Sequence, residues 1–152
     1  MTAASSSPLT AISIRPLTHG DYNKSFLELI NTFTRHPIAI SYEDFQRAVD
    51  TSQSRGGETY VIEHANKIIG TVKVLLEPKL HNNLRMVGHI EDMIVSPAYR
   101  GQGLGHTLLD YAIRRCREAN CYKIVLNTNP GNRDFYLKKG FIEKGTEMTI
   151  YC

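Results

Sequence analysis

Long apolar runs are missing from this chain, and so are the pairings of cysteine and histidine that hold metals. No stretch approaches the ~18 apolar residues that cross a bilayer, so no membrane association is expected. The opening MTAASSSPLTA has neither the basic nor the apolar part of a secretory leader, and the expected location is cytoplasmic. Cys116, Cys121 and Cys152 form no CxxC pair, and none of the six histidines stands at HxxxH or HExxH spacing, so neither a disulfide framework nor a metal site is expected. Charge of one sign is also scarce. The 18 Lys and Arg against 15 Asp and Glu leave a net charge of +3, too small to indicate nucleic acid and better matched to a small anionic ligand.

What remains is a chain of 152 residues, 41% hydrophobic, enough for one domain with its own core. Residues 1–11 are expected as a loose tail, and 12–152 as the domain. Ile12, Ile14 and Leu17 alternate into a short strand that stops near Gly20-Asp21. A helix is expected from Tyr22 to about Phe33, with Phe26, Leu29, Ile30 and Phe33 as its buried stripe. A second runs from Tyr42 to about Val49, capped by Ser41 with Asp44 three residues on. TYVIE, KIIGTVKVLL and RMVGHIEDMIV follow as an antiparallel meander, with a turn at Ala65-Asn66 and a loop from Glu77 to Asn83 that reaches over a ligand. Next come an amphipathic helix with Leu104, Leu108, Leu109, Ala112, Ile113 and Cys116 inside, then YKIVLN, which a right-handed crossover sets parallel to the third meander strand. Cys116 is expected as a core thiol. A helix from about Asn132 to Lys138 and strands near Phe141-Ile142 and Met148 to Tyr151 complete an α+β arrangement.

The stretch that asks for a ligand is RGQGLG, Arg100 to Gly105, opening directly into a helix. The first N–H groups of a helix have no intrahelical acceptor, and the dipole adds positive charge there. Glycines remove the Cβ atoms that would keep a phosphate at a distance. A dinucleotide fingerprint needs GxGxxG, whereas the spacing here is GxGxG; a Walker loop needs a lysine where His106 stands. A turn that merely caps a helix explains one glycine and leaves two unexplained.

Arg100-Gly101-Gln102-Gly103-Leu104-Gly105 resembles the Q/R-x-x-G-x-G/A acetyl-CoA motif of the GNAT superfamily of N-acetyltransferases. GHIEDMIVSPAYRGQGLG, CYKIVLN and NRDFYLKKGF, with IRPLTHGD near the start, are similar to the glucosamine-6-phosphate N-acetyltransferase family from about residue 12 to the end. The resemblance implies a GNAT acyl-CoA N-acyltransferase fold: a mixed, mostly antiparallel central sheet flanked by helices. It also implies acetyl-CoA and D-glucosamine 6-phosphate as substrates, direct attack of the amine in a ternary complex, a step toward UDP-N-acetylglucosamine, and a homodimer to which the C-terminal strand contributes.

By the same resemblance Met93, Ile94 and Val95 meet the thioester and pantetheine arm through their main chain, and Arg100 through Gly105 with His106 hold the pyrophosphate. Asn132 and Lys138 lie along the cofactor, and Tyr136 protonates the departing thiolate. Glu91 and Asp92 lie beside the amino sugar; as neighbours on a strand they point to opposite faces and cannot act as one acid–base pair. Thr34, Lys79, Leu80, His81 and Asn82 match positions that contact the sugar phosphate. Two positions depart from the family. Asn127 stands where relatives carry an acidic residue, and an amide cannot take a proton. Tyr151 stands where relatives carry a phosphate-binding arginine, with Arg85 or Arg133 as candidate replacements. These departures are the main support for another small amine or a protein as acceptor; an acetyl-CoA sensor without turnover is the remaining alternative.

Overall fold

The computed structural model describes Leu9 and residues 12–152, so the tail expected over residues 1–11 falls almost wholly outside the described residues. Five strands form one sheet in the order β1-β2-β3-β4-β5: β1 (Ile14–Pro16), β2 (Gly57–His64), β3 (Lys67–Pro78), β4 (Met86–Val95) and β5 (Cys121–Leu126). The first three pairings are antiparallel and β4 with β5 is parallel, as the meander and crossover require. The β2–β3 hairpin closes on Ala65 and Asn66, both at positive φ (48° and 60°), the geometry that matches the twist of two paired strands.

Helices pack on both faces. On one, α3 (Leu104–Glu118) buries Leu104, Leu108, Leu109, Ala112 and Cys116 against Tyr60, Ile62, Val72, Val74 and Ile90. This three- and four-residue recurrence gives a stripe wide enough to seal that face. Glu58 ties the helix down: Arg115 donates to its carboxylate at 2.7 and 2.8 Å, and Tyr60 donates at 2.6 Å. Burial raises the Glu58 carboxyl, but the hydrogen bonds from Arg115 and Tyr60 outweigh it and hold it below the usual range. Where α3 ends, Gly88 of β4 lets it approach the sheet. A Cβ at that position would lie 2.4 Å from Cys116 Sγ and 3.3 Å from Cys121 Sγ. Cys116 is fully buried, and burial first of all pushes its thiol up to about 12, the inert core role expected for it.

On the other face α1 (Phe26–Asn31) and α2 (Tyr42–Ser54) bury Phe26, Leu29, Phe45 and Val49 against Val61, Ile68 and Ile94. The expected helix from Tyr22 is interrupted: His19–Asn23 form a 3₁₀ turn, Ser25 adopts φ 61°, and α1 covers only six residues. The reason is Asp21. Its fully buried carboxylate accepts the Thr18 N–H at 2.8 Å and two Arg15 bonds at 2.8 and 2.7 Å, so it organises a tight turn instead of a helix interior. Phe33, placed on the inner stripe by periodicity, lies past the helix end and is exposed. Conversely α2 runs past Val49 to Ser54, because no breaker intervenes before Gly56-Gly57; Ser41 Oγ accepts the Asp44 N–H as expected.

The strands expected near Phe141-Ile142 and Met148 to Tyr151 are absent from the structure: residues 141–152 form no ladder with β5 or with one another. Their apolar side chains explain the misreading. Ile142, Met148, Ile150 and Tyr151 are strand-forming residues, yet all are exposed, with nothing among the described residues to cover them.

Candidate active site

The centre of the sheet opens where β4 outruns β5. Their pairing ends at Ile90 opposite Leu126, while β4 continues to Val95, so its last residues have no neighbour on the β5 side. A bulge falls in the same segment: Thr71 pairs with Ile94 and Lys73 with Glu91, leaving Asp92 and Met93 opposite Val72 alone. Asp92 takes φ 48°. Such a bulge re-aims the strand and frees main-chain groups that a regular ladder would consume. Strict alternation therefore stops at Glu91. Both carboxylates are exposed, so the desolvation cost expected for acids within a sheet does not arise.

After β4 a 3₁₀ turn, Pro97–Tyr99, leads into the glycine run, and Arg100 Nε donates to Val95 O at 3.2 Å, which fastens the run to the strand end. Gly101 and Gly103 have φ 76° and 82°, a region where glycine alone is unstrained. Gly103 is the N-cap of α3 and supplies no side-chain cap; a Cβ at 101 or 103 would meet no protein atom within 4 Å. The space beside the first α3 amides is thus open and rimmed by unsatisfied N–H donors, which suits a phosphate.

The short helix α4 (Arg133–Leu137) is seated against this helix end. Phe135 stacks on His106 at 4.5 Å between ring centroids, and Tyr136 meets Phe135 at 5.0 Å and Phe141 at 6.0 Å. Tyr136 is half-buried, and burial raises its hydroxyl above the usual tyrosine value, so it keeps its proton at neutral pH. Asn132 N–H caps onto Asn129 Oδ1 at 3.1 Å. Asn127, Asn132 and Lys138 are exposed, Asn127 directly after the end of β5. The sequence pattern picked out Tyr136 and missed Phe135, although the ring clamps the glycine helix through His106.

The sugar side is less assembled. Thr34 is half-buried just past α1 and its hydroxyl accepts the His36 N–H at 3.2 Å. In the β3–β4 loop Asn82, Asn83 and Leu84 all take positive φ, Asn82 Nδ2 lies 2.8 Å from His81 Nδ1, and Leu80 is almost fully exposed. Lys79, expected as a free cation, is hydrogen-bonded to Glu77, which also lies 2.8 Å from His89 Nε2. These bonds, from Lys79 first and His89 second, hold the Glu77 carboxyl below its ordinary range. Of the two candidate replacements for the missing arginine, Arg133 is committed to Glu143 by two bonds of 2.7 and 2.8 Å, and Arg85 donates to Cys121 O at 3.1 Å. Lys73 and His89, unremarked in the sequence, share the α1–α2 face with Glu91. The signal was there in the two-residue spacing of Lys73 and Leu75 against His89 and Glu91. Among the described residues no group of three His, Cys, Asp or Glu side chains is placed to hold a metal.

Residues 23–141 match the acetyltransferase (GNAT) family, and the chain belongs to it. It is an acetyl-CoA-dependent N-acetyltransferase by family. Among particular relatives, a glucosamine 6-phosphate N-acetyltransferase of rice is 32% identical over 93% of this chain and 87% of its own length. The Trypanosoma brucei protein of the same name is 34% identical over 91% of this chain and 95% of its own length. The crystal structure of glucosamine-6-phosphate N-acetyltransferase from Arabidopsis thaliana superposes with a TM-score of 0.86 at 32% identity, covering 93% of this chain and 99% of that one.

Proposed function

We propose that the protein transfers the acetyl group of acetyl-CoA to the amine of D-glucosamine 6-phosphate, releasing CoA and N-acetyl-D-glucosamine 6-phosphate, a step toward UDP-N-acetylglucosamine. The observation that carries this reading is the unpaired end of β4 running into the open glycine turn, with Tyr136 packed on Phe135, whose ring stacks on His106 at the head of α3. Relatives named for this activity, matched over nine-tenths of the chain, support the acceptor.

The chemistry follows from that arrangement. The pyrophosphate of acetyl-CoA lies against the amides from Arg100 to His106, its arm beside Asn132 and Lys138, and its thioester along Met93, Ile94 and Val95. A main-chain N–H of that strand polarises the carbonyl, whose developing charge it stabilises best in the transition state. The neutral amine, oriented by Glu91 and Asp92, attacks the carbonyl carbon; the C–N bond forms, the C–S bond breaks, and the thiolate takes the Tyr136 proton. Asn127 accepts a hydrogen bond from the amine, water takes the proton that the amine loses because an amide cannot, and Tyr136 regains a proton from solvent. Thr34 and the segment Lys79, Leu80, His81 and Asn82 border the sugar phosphate.

The working unit in this reading is a homodimer in the cytoplasm. The exposed Ile142, Met148, Ile150 and Tyr151 and the open outer edge of β5 favour pairing with a second copy, and three unbridged cysteines suit a reducing compartment. The test is CoA thiol release with glucosamine 6-phosphate, glucosamine and a lysine peptide as parallel acceptors. Fast release with the phosphorylated sugar alone is expected; release with only the peptide overturns the acceptor.

A further inference from the structure

The segment that carries Tyr136 is fastened to the rest of the fold at few points. α4 has five residues, too few to be stable alone, and none of them is fully buried. Its main-chain hydrogen bonds stay inside the segment: the Lys138 N–H donates to Asp134 O, and the Lys139 and Phe141 N–H groups donate to Tyr136 O. Arg133 and Glu143, which pair with each other, both belong to it. Among the described residues, a single hydrogen-bonded side-chain contact joins residues 128–152 to any other part of the chain. Lys139 Nζ donates to both carboxylate oxygens of Asp110 on α3, at 2.8 Å each. The Tyr136 hydroxyl has no hydrogen-bond partner among the described residues, and burial alone is what shifts it. Its place is therefore set by the backbone beneath it and the rings around it.

Two points of attachment result. Phe135 stacks on His106, and four residues further along the chain Lys139 reaches Asp110, which itself stands four residues after His106. Residues four apart on a helix lie above one another, so α3 presents the stacked ring and the carboxylate from the same side, one turn apart. A stack alone leaves two flat rings free to slide and to turn about their common normal. A second tie about 6 Å along the helix stops that rotation. Tyr136 lies between the two points in sequence, and its carbonyl accepts the Lys139 N–H at 2.9 Å, so a shift of Lys139 is passed to it directly. An exposed ion pair contributes little to overall stability, which leaves orientation as its effect here. We propose that Asp110 and Lys139 are positioning residues for the Tyr136 acid: their ion pair fixes the rotation of α4 on α3 and with it the place of the hydroxyl. This rests on the role given to Tyr136 above.

The experiment compares the intact protein with Lys139→Met, Lys139→Arg and Asp110→Ala. Lys139→Met and Asp110→Ala are each expected to lower kcat with glucosamine 6-phosphate by about tenfold, within the range that a small misplacement of a catalytic group produces, while acetyl-CoA Kd and the unfolding midpoint stay close to those of the intact protein. Lys139→Arg is expected to restore most of kcat, because a guanidinium also pairs with a carboxylate through two bonds. Placed in the Tyr136→Phe background, Lys139→Met is expected to cause no further loss, since the hydroxyl it positions is gone. Unchanged kcat in the folded Lys139→Met variant overturns the proposal, and so does an equal fractional loss with and without Tyr136→Phe. Should the intact protein not acetylate glucosamine 6-phosphate, or should Tyr136→Phe leave kcat unchanged, that reading fails separately. The tie is then judged by NMR of isotope-labelled tyrosine, with the Tyr136 resonance assigned by its absence in Tyr136→Phe. A resonance that moves or broadens in both Lys139→Met and Asp110→Ala upholds the tie; one that stays in place in either overturns it.

Discussion

On one face of the sheet α3 covers everything beneath it, and its polar contacts, Arg115 with Glu58 and Tyr60, are internally complete. On the other face α1 and α2 cover Val61, Ile68 and Ile94, while Glu91 is exposed and Lys73 and His89 are half-buried. The difference separates a scaffold from a receptor. The sealed face fixes the helix whose N-terminus carries the glycine turn, so that turn stands on a packed core. The open face contains charges whose partners are local, as with Glu77 and Lys79.

The largest effect that sharpens this contrast is on the sealed side. Leu108→Ala removes a fully buried side chain from the α3 stripe and is expected to destabilise by about 2–5 kcal/mol, measured by denaturant unfolding. A loss below 1 kcal/mol would mean that the face is not sealed. Tyr136→Phe keeps the ring contacts and removes the acid; kcat is expected to fall by about 100-fold or more with little change in acetyl-CoA affinity. An unchanged kcat removes the assigned role. Gly103→Val places a branched residue at φ 82° and a side chain in the open phosphate space. Acetyl-CoA Kd is expected to rise at least about tenfold, since backbone strain of ~1–3 kcal/mol adds to the lost contact. A folded variant with normal Kd rules out the glycine turn as the cradle.

The smallest effects concern protons. Glu58 and Asp21 have folded-state values below the ordinary carboxylate range, so each contributes stability that is complete above its unfolded value and lost as pH falls through the lowered one. For Asp21 burial pushes upward first, and the Arg15 and Thr18 hydrogen bonds reverse it. Acid unfolding of Asp21→Asn is therefore expected to lose part of the steepness seen below about pH 4. Tyr136 shifts the other way, so its ionisation is expected to leave kcat untouched through neutral and mildly alkaline pH. A decline of kcat near pH 8 that disappears in Tyr136→Phe would contradict the burial that sets this value.

Much of this was legible because the relevant signals are local. The α3 stripe, the Ala65-Asn66 turn, the Ser41 cap and the parallel β5 each follow from spacing within a few turns of chain. The glycine turn was legible for the same reason: consecutive residues make it. Errors arose where a distant partner decides. Asp21 becomes a buried hub only because Arg15 reaches it across a strand end, and that broke the helix which periodicity had extended back to Tyr22. Met148 to Tyr151 have strand-forming side chains, but a strand needs an edge to pair with, and none among the described residues takes them. The pairing of Lys73 with Glu91 is set by the strand register, which a linear pattern does not report.

Gly88 binds nothing and stands far from the glycine turn along the chain, yet it sets how thick the molecule is. One missing carbon lets the last turn of α3 settle on β4 against Cys116 and Cys121. A fifteen-residue helix resting on that point behaves as a beam on a fulcrum, and raising one end re-angles the other, where the amides proposed for the phosphate sit. A methyl group added at position 88 would thus act as a wedge, detuning cofactor capture from beneath the opposite end of the beam while every residue that meets a ligand remained unaltered.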